Sequence, residues 1–119
     1  MLEAYTFDAS AAVGANGSAT VAVSKTLTGR VVAIGYKYVS APATTDVTVA
    51  QAATTNAPVI TLASRANSNT DAWTYLTVAM TGGAAGDLQG GIPVSGEVTV
   101  TVAQADANKG CIVTLMVER

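Results

Sequence analysis

Apolar and polar residues alternate with a period of two through most of this chain. In "GEVTVTVAQ", Val98, Val100 and Val102 fall on one face and Glu97, Thr99 and Thr101 on the other. "GCIVTLMVER" sets Cys111, Val113, Leu115 and Val117 against Ile112, Thr114, Met116 and Glu118, and "TDVTVAQ" repeats the pattern with Val47 and Val49. Successive side chains of a strand point to opposite sides of its sheet. Such alternation, rich in β-branched residues, therefore predicts half-buried strands of antiparallel sheets. The longer run "GRVVAIGYKYV" is expected to place Val32, Ile34, Tyr36 and Tyr38 on one side. Weaker patterns in "EAYTFD", "ATVAVSKT", "PVITLAS" and "WTYLTVAM" bring the expected total to about eight strands. No segment carries a helical apolar stripe over three turns; only "AQADANKG" is expected to make one short helical turn, stopped by Gly110. The predicted fold is all-β: an antiparallel β-sandwich, in a jelly-roll arrangement, forming one domain over residues 1–119.

Two segments lack the pattern. "SAAVGANGSA" reads as a flexible connection or a turn, and residues 1–18 as a candidate flexible N-terminal segment. "TGGAAGDLQGGIPVS", residues 81–95, reads as a long Gly-rich loop, and loops of this length commonly carry function. Its Leu88, Ile92 and Pro93 have no obvious place in a sandwich core, which makes it a candidate contact arm. The hexapeptide "VTVAQA" occurs twice, at Val47–Ala52 and Val100–Ala105. Its flanks do not match, so it is read as two similar strand exits rather than two related halves.

Composition changes the picture in one respect. Half of the 119 residues are hydrophobic and only 12% are charged, against about 25% charged in an ordinary soluble domain. A domain of this size cannot hide so many apolar residues in one core, so weakly polar surface is left over that a partner would cover. The net charge of −2 also favours association. Six scattered Lys and Arg residues make no basic patch for nucleic acid. No apolar stretch is long enough for a membrane-spanning helix, and "MLEAYTFDAS" is acidic where a signal peptide would be basic. The expectation is synthesis and assembly in a cytoplasm.

Candidate chemistry is sparse. Without histidine there is neither a Ser-His-Asp nor a Cys-His arrangement. Cys111 shares its face with Val113, Leu115 and Val117 and reads as a small buried hydrophobe. Asp46, Asp71, Glu97 and Asp106 all adjoin turns. Aspartate there accepts hydrogen bonds from N–H groups just downstream, so Asp46 and Asp71 are expected to punctuate strands rather than act as ligands. "NSNTD", residues 67–71, is the one oxygen-dense stretch that a calcium ion could use, but it lacks the pattern of a dedicated calcium loop. No metal or cofactor is expected, and no enzymatic activity. Trp73 with the tyrosines offers an aromatic platform for sugar as an alternative reading.

Three motifs taken together, "YKYVSAPATTDVTV" (36–49), "NTDAWTY" (69–75) and "VTVAQADA" (100–107), resemble the small capsid decoration, or cement, proteins of tailed bacteriophages. The resemblance covers about the last ninety residues. It implies a β-sandwich that associates, often as a homotrimer, on the exterior of the icosahedral capsid. There it would bridge neighbouring capsomers by binding the major capsid protein. No catalytic residues come with it. Under this expectation Trp73, Tyr75, Leu88 and Ile92 are the candidate apolar anchors, and Arg30 and Arg65 the candidate polar contacts. The alternative function is a carbohydrate-binding β-sandwich module on a virion or an enzyme.

Overall fold

A computed structural model describes residues 1–78, 88–89 and 91–119. The described residues form nine strands and no helix: β1 (Leu2–Ala9), β2 (Ala19–Val39), β3 (Asp46–Gln51), β4 (Ile60–Arg65), β5 (Ala72–Tyr75), β6 (Thr77–Val78), β7 (Leu88–Gln89), β8 (Ile92–Ala105) and β9 (Gly110–Glu118). Seven of them make one antiparallel sheet in the order β1-β9-β2-β8-β3-β4, with β5 also paired to β2; β6 and β7 pair separately.

The 21-residue β2 gives this sheet its shape. Its first half, Ala19–Val31, pairs with β8, and its second half, Arg30–Val39, pairs with β9. Between Val31 and Ala33 the register against β9 shifts by one, leaving Val32 as an extra residue. A bulge of this kind bends a strand and sharpens its twist, and strands that change sheets turn their corners in this way. One leaf is therefore β1-β9-β2-β5, using the second half of β2, and the other is β2-β8-β3-β4, using the first half. With β2 counted as two segments, and the β6–β7 pair left out, the leaves read 1-8-3-6 and 2-7-4-5 in chain order.

Both leaves feed one core. Phe7, Val113, Leu115, Val117, Ile34 and Tyr36 come from the first leaf, and Val47, Val49, Val98, Val100 and Val102 from the second. Every apolar face expected in β3, β8 and β9 is buried, Cys111 included. The two copies of "VTVAQA" lie beside each other: Val47 pairs with Val102, Thr48 with Thr101 and Val49 with Val100. In antiparallel pairing the same tripeptide matches valine to valine on the buried side and threonine to threonine on the other. Lys25 lies on the inner side of β2 where that edge lacks a neighbour, with its ammonium 5.5 Å from the centre of the Phe7 ring. An inward-pointing charge of this kind guards a sheet edge against further pairing.

Several expectations need correction. The "EAYTFD" pattern is part of β1: Leu2–Ala9 pair with β9 in unbroken register, with Phe7 and Ala9 buried, and residues 14–18 turn the chain into β2. The bulge at Val32 also breaks the expected alternation of β2. Val31 points into the core, Val32 is only partly buried, and Ile34, Tyr36 and Tyr38 resume the inner face in shifted phase. The residues before β9 make a turn instead of a helical one, with Asn108 at φ +59° and Lys109 N–H donating to Asp106 C=O. Of the loop expected over 81–95, residues 81–87 and 90 lie outside the described residues. Leu88–Gln89 are β7 and Ile92–Ser95 open β8. Pro93 is tolerated there because β3 flanks β8 only over Val98–Ala103, leaving Pro93 with one neighbouring strand.

Gly110 opens β9 against β1 so closely that a Cβ would collide with the carbonyl oxygen of Ala9. Gly110→Ala is expected to destabilise the fold by about 3 kcal/mol, as overpacking against an immovable backbone does. Gly17→Ala meets empty space at φ +86° and is expected to cost only about 1 kcal/mol. Urea denaturation of the two variants checks the ranking.

Candidate partner-binding face

The first leaf has an outer face whose composition follows from its register. Ala4, Met116, Ala33 and Tyr75 form one row across β1, β9, β2 and β5. Thr6, Thr114, Gly35 and Trp73 form the next. Two residues further along, Asp8, Ile112 and Lys37 continue the series, and the β2–β5 register brings Asp71 opposite Lys37. The two central rows carry no charge. Leu2, Trp73 and Tyr75 are 56%, 55% and 60% exposed, large values for such side chains.

Gly35 explains how Trp73 sits. A Cβ at position 35 would stand 2.8–3.0 Å from three consecutive atoms of the six-membered ring. Nearly equal distances to three adjacent atoms mean that the indole turns its face to the sheet, so its other face is turned to water. β5 reaches this position because β8 leaves the edge of β2 at Val31 and β5 takes the same edge from Ala33. At the junction Leu76 N–H donates to the Val32 carbonyl.

Two shallow hollows flank the indole. One of about 310 Å³ is lined by Leu2, Val32, Ala33, Trp73, Tyr75 and Met116. The other, of about 340 Å³, lies toward Lys37, Asp71, Ile112 and Thr114. They lie on either side of Trp73, which lines both. The first hollow is apolar; the second ends in a charged pair.

The aspartates do act as punctuation, although mostly at long range. Among the described aspartates only Asp8 caps locally, accepting from Ser10 N–H. Asp46 accepts from Asn67 N–H at 2.9 Å, Asp106 from Gly17 N–H at 3.0 Å, and Asp71 from Tyr38 N–H at 2.8 Å. β5 begins at Ala72, so beyond it a carboxylate replaces the missing strand for Tyr38. Asp71 also accepts from Lys37 Nζ at 3.1 Å. The Tyr38 N–H, and after it Lys37, hold the Asp71 carboxyl below the ordinary carboxylate range. The oxygen-dense 67–71 stretch is committed in the same way: Ser68 Oγ accepts from Arg65, and Asn69 Nδ2 donates to the Ala41 carbonyl.

The six expected contact residues separate. Arg30, Trp73, Tyr75 and Ile92 gather where β8 and β5 meet on β2: Ile92 pairs with Val31, Tyr75 with Ala33 and Trp73 with Gly35. Arg30 is exposed and bound to Glu118 at 2.9 Å, and Ile92 is half-buried against the core. Leu88 pairs with Val78 through its backbone. Arg65 lies apart from these, half-buried: its guanidinium donates to Thr70 C=O and Ser68 Oγ and stacks over the Tyr36 and Tyr38 rings at 4.8 and 5.7 Å. These contacts tie β4 to the 68–70 turn and to β2. Leu2, Val32, Gly35, Lys37 and Met116 belong to the face and were not foreseen; the register that assembles them spans four strands.

Comparison with protein-family models and with curated proteins finds no match to this chain.

Beneath the face, burial pushes the Tyr36 hydroxyl and the Cys111 thiol each up to about 12. Their ordinary values are 10.0 and 9.0. The folded chain therefore keeps protons that the unfolded chain gives up, and stability present below pH 9 is lost as pH rises toward 12. Thermal melts at stepped pH should show the midpoint falling over that window. In the folded protein at pH 8, Cys111 should resist a thiol reagent that labels it fully in denaturant. Arg65→Ala is expected to cost about 1–3 kcal/mol, from two hydrogen bonds and stacking. Arg65→Lys should recover only part of this, because an ammonium cannot stack and span both acceptors. Chemical denaturation of both variants measures the difference.

Proposed function

We propose that this protein decorates and stabilises the icosahedral capsid of a tailed bacteriophage, binding the major capsid protein from outside and bridging neighbouring capsomers. The observation that carries the reading is the apolar end of the outer face. Leu2, Trp73 and Tyr75 are each more than half exposed around a hollow floored by Ala33, Val32 and Met116. Exposed large apolar side chains grouped in this way mark interaction surfaces. The leaf order 1-8-3-6 against 2-7-4-5 supports a jelly roll, the architecture that the resemblance to decoration proteins implies.

In this reading the protein has no catalytic task and works as a homotrimer, assembled on the shell in the host cytoplasm. Each copy stands on its Leu2–Tyr75 end, with Arg30 at the same contact. Burying about 1,600 Å² at a joint supports affinities from micromolar to picomolar. A trimer engaging several capsomers needs only weak individual contacts, because the second and third bind at high effective concentration.

Co-sedimentation with empty heads of the phage that encodes the protein tests this. The wild type should saturate the heads, Tyr75→Asp should weaken binding at least tenfold, and Lys37→Ala at the other end should leave it unchanged. Failure of the wild type to bind, or unimpaired binding by Tyr75→Asp, would remove the proposal.

A further inference from the structure

We propose that the second hollow, between Trp73 and the Asp71–Lys37 pair, is a binding site for one pyranose ring of a glycan. Sugar recognition needs a flat aromatic surface for the apolar C–H face of the ring and fixed polar groups beside it for the hydroxyls. Trp73 supplies the surface: it lies with one face on Gly35 and is 55% exposed. Because its seat is backbone rather than a movable side chain, little order has to be created on binding.

The polar groups stand beside it. One oxygen of Asp71 is fixed by the Tyr38 N–H at 2.8 Å, which orients the other outward; Lys37 meets that second oxygen at 3.1 Å. Both side chains are substantially exposed at the rim, Lys37 by 73% and Asp71 by 48%. An ion pair so exposed contributes little stability, and a hydroxyl can enter between its members at small cost. One acceptor beside one donor suits two neighbouring hydroxyls of a sugar ring. Ile112 and Thr114 complete the far wall. The hollow of about 340 Å³ is of the size used for small ligands.

The flat indole selects for a ring whose substituents are equatorial and whose faces carry only hydrogen. Gluco-configured residues, as in cello- and chito-oligosaccharides, therefore fit better than rings with an axial hydroxyl against the aromatic face. The site shares Trp73 with the Leu2–Tyr75 hollow and lies on the other side of the indole from it. The inference does not depend on the shell reading, and head binding and sugar binding are measured separately.

Trp73 is the only tryptophan of the chain and lines both hollows, so its fluorescence reports a sugar on the indole and the Lys37 variant assigns it to this side. Titration with cellotetraose and with chitotetraose should give a saturable change with at least one of them, half-complete between about 0.1 and 10 mM. Lys37→Ala, an exposed change that leaves the core intact, should weaken that binding at least threefold. Trp73→Ala, read by calorimetry, should abolish it. Absence of a saturable response to either sugar overturns the proposal, as does undiminished binding by Trp73→Ala.

Discussion

A single strand crossing from one leaf of the molecule to the other, with one extra residue at the crossing, is the constraint on which the remaining structure depends. At Val32 the ladder with β9 gains a residue, the strand bends, and the inner face of β2 changes phase. Below the bend β2 is held by β8, above it by β9 and β5. The bulge therefore decides that Val31 and Ile34 both reach the core. It also leaves Ala33 and Gly35 on the outer side, where Tyr75 and Trp73 cover them. Without the shift, a tyrosine would stand where the indole now has its glycine seat.

The same crossing gives the outer face its polarity. β8 abandons the edge of β2 at Val31 and β5 resumes it at Ala33, and Leu2, Tyr75 and Met116 line the apolar hollow at that end. At the other end β5 begins only at Ala72, and the unfinished edge is closed by charge: Asp71 takes the Tyr38 N–H, Lys37 takes Asp71, and Arg65 takes the Thr70 carbonyl. One leaf thus carries an apolar end suited to a protein partner and a polar end suited to hydroxyls. Both meet at Trp73.

Much of the sandwich was legible from alternation alone. β3, β8 and β9 have regular registers over their buried stretches, and there a period of two maps directly onto burial. Alternation failed where registers shift, because a bulge such as Val32 moves the phase of a strand without changing its composition. The "EAYTFD" pattern is faint because β1 is an edge strand with an exposed outer side, where Leu2, Ala4 and Thr6 weaken its contrast. Trp73 and Tyr75 could be singled out as exposed aromatics by their spacing. Their seat on Gly35, the internal commitment of Arg65 and the long reach of the aspartates arise from pairings between segments distant in the chain, which no local pattern encodes.

Cryo-electron microscopy of purified virions carrying this protein tests the central claim most directly. The account predicts density for this fold on the outer surface of the capsid, at junctions between capsomers, with the Leu2–Tyr75 end against the shell and Lys37 and Asp71 turned to solvent. Density for the chain only in the tail or inside the shell, or a capsid-bound copy with its Leu2–Tyr75 end facing water, would contradict it.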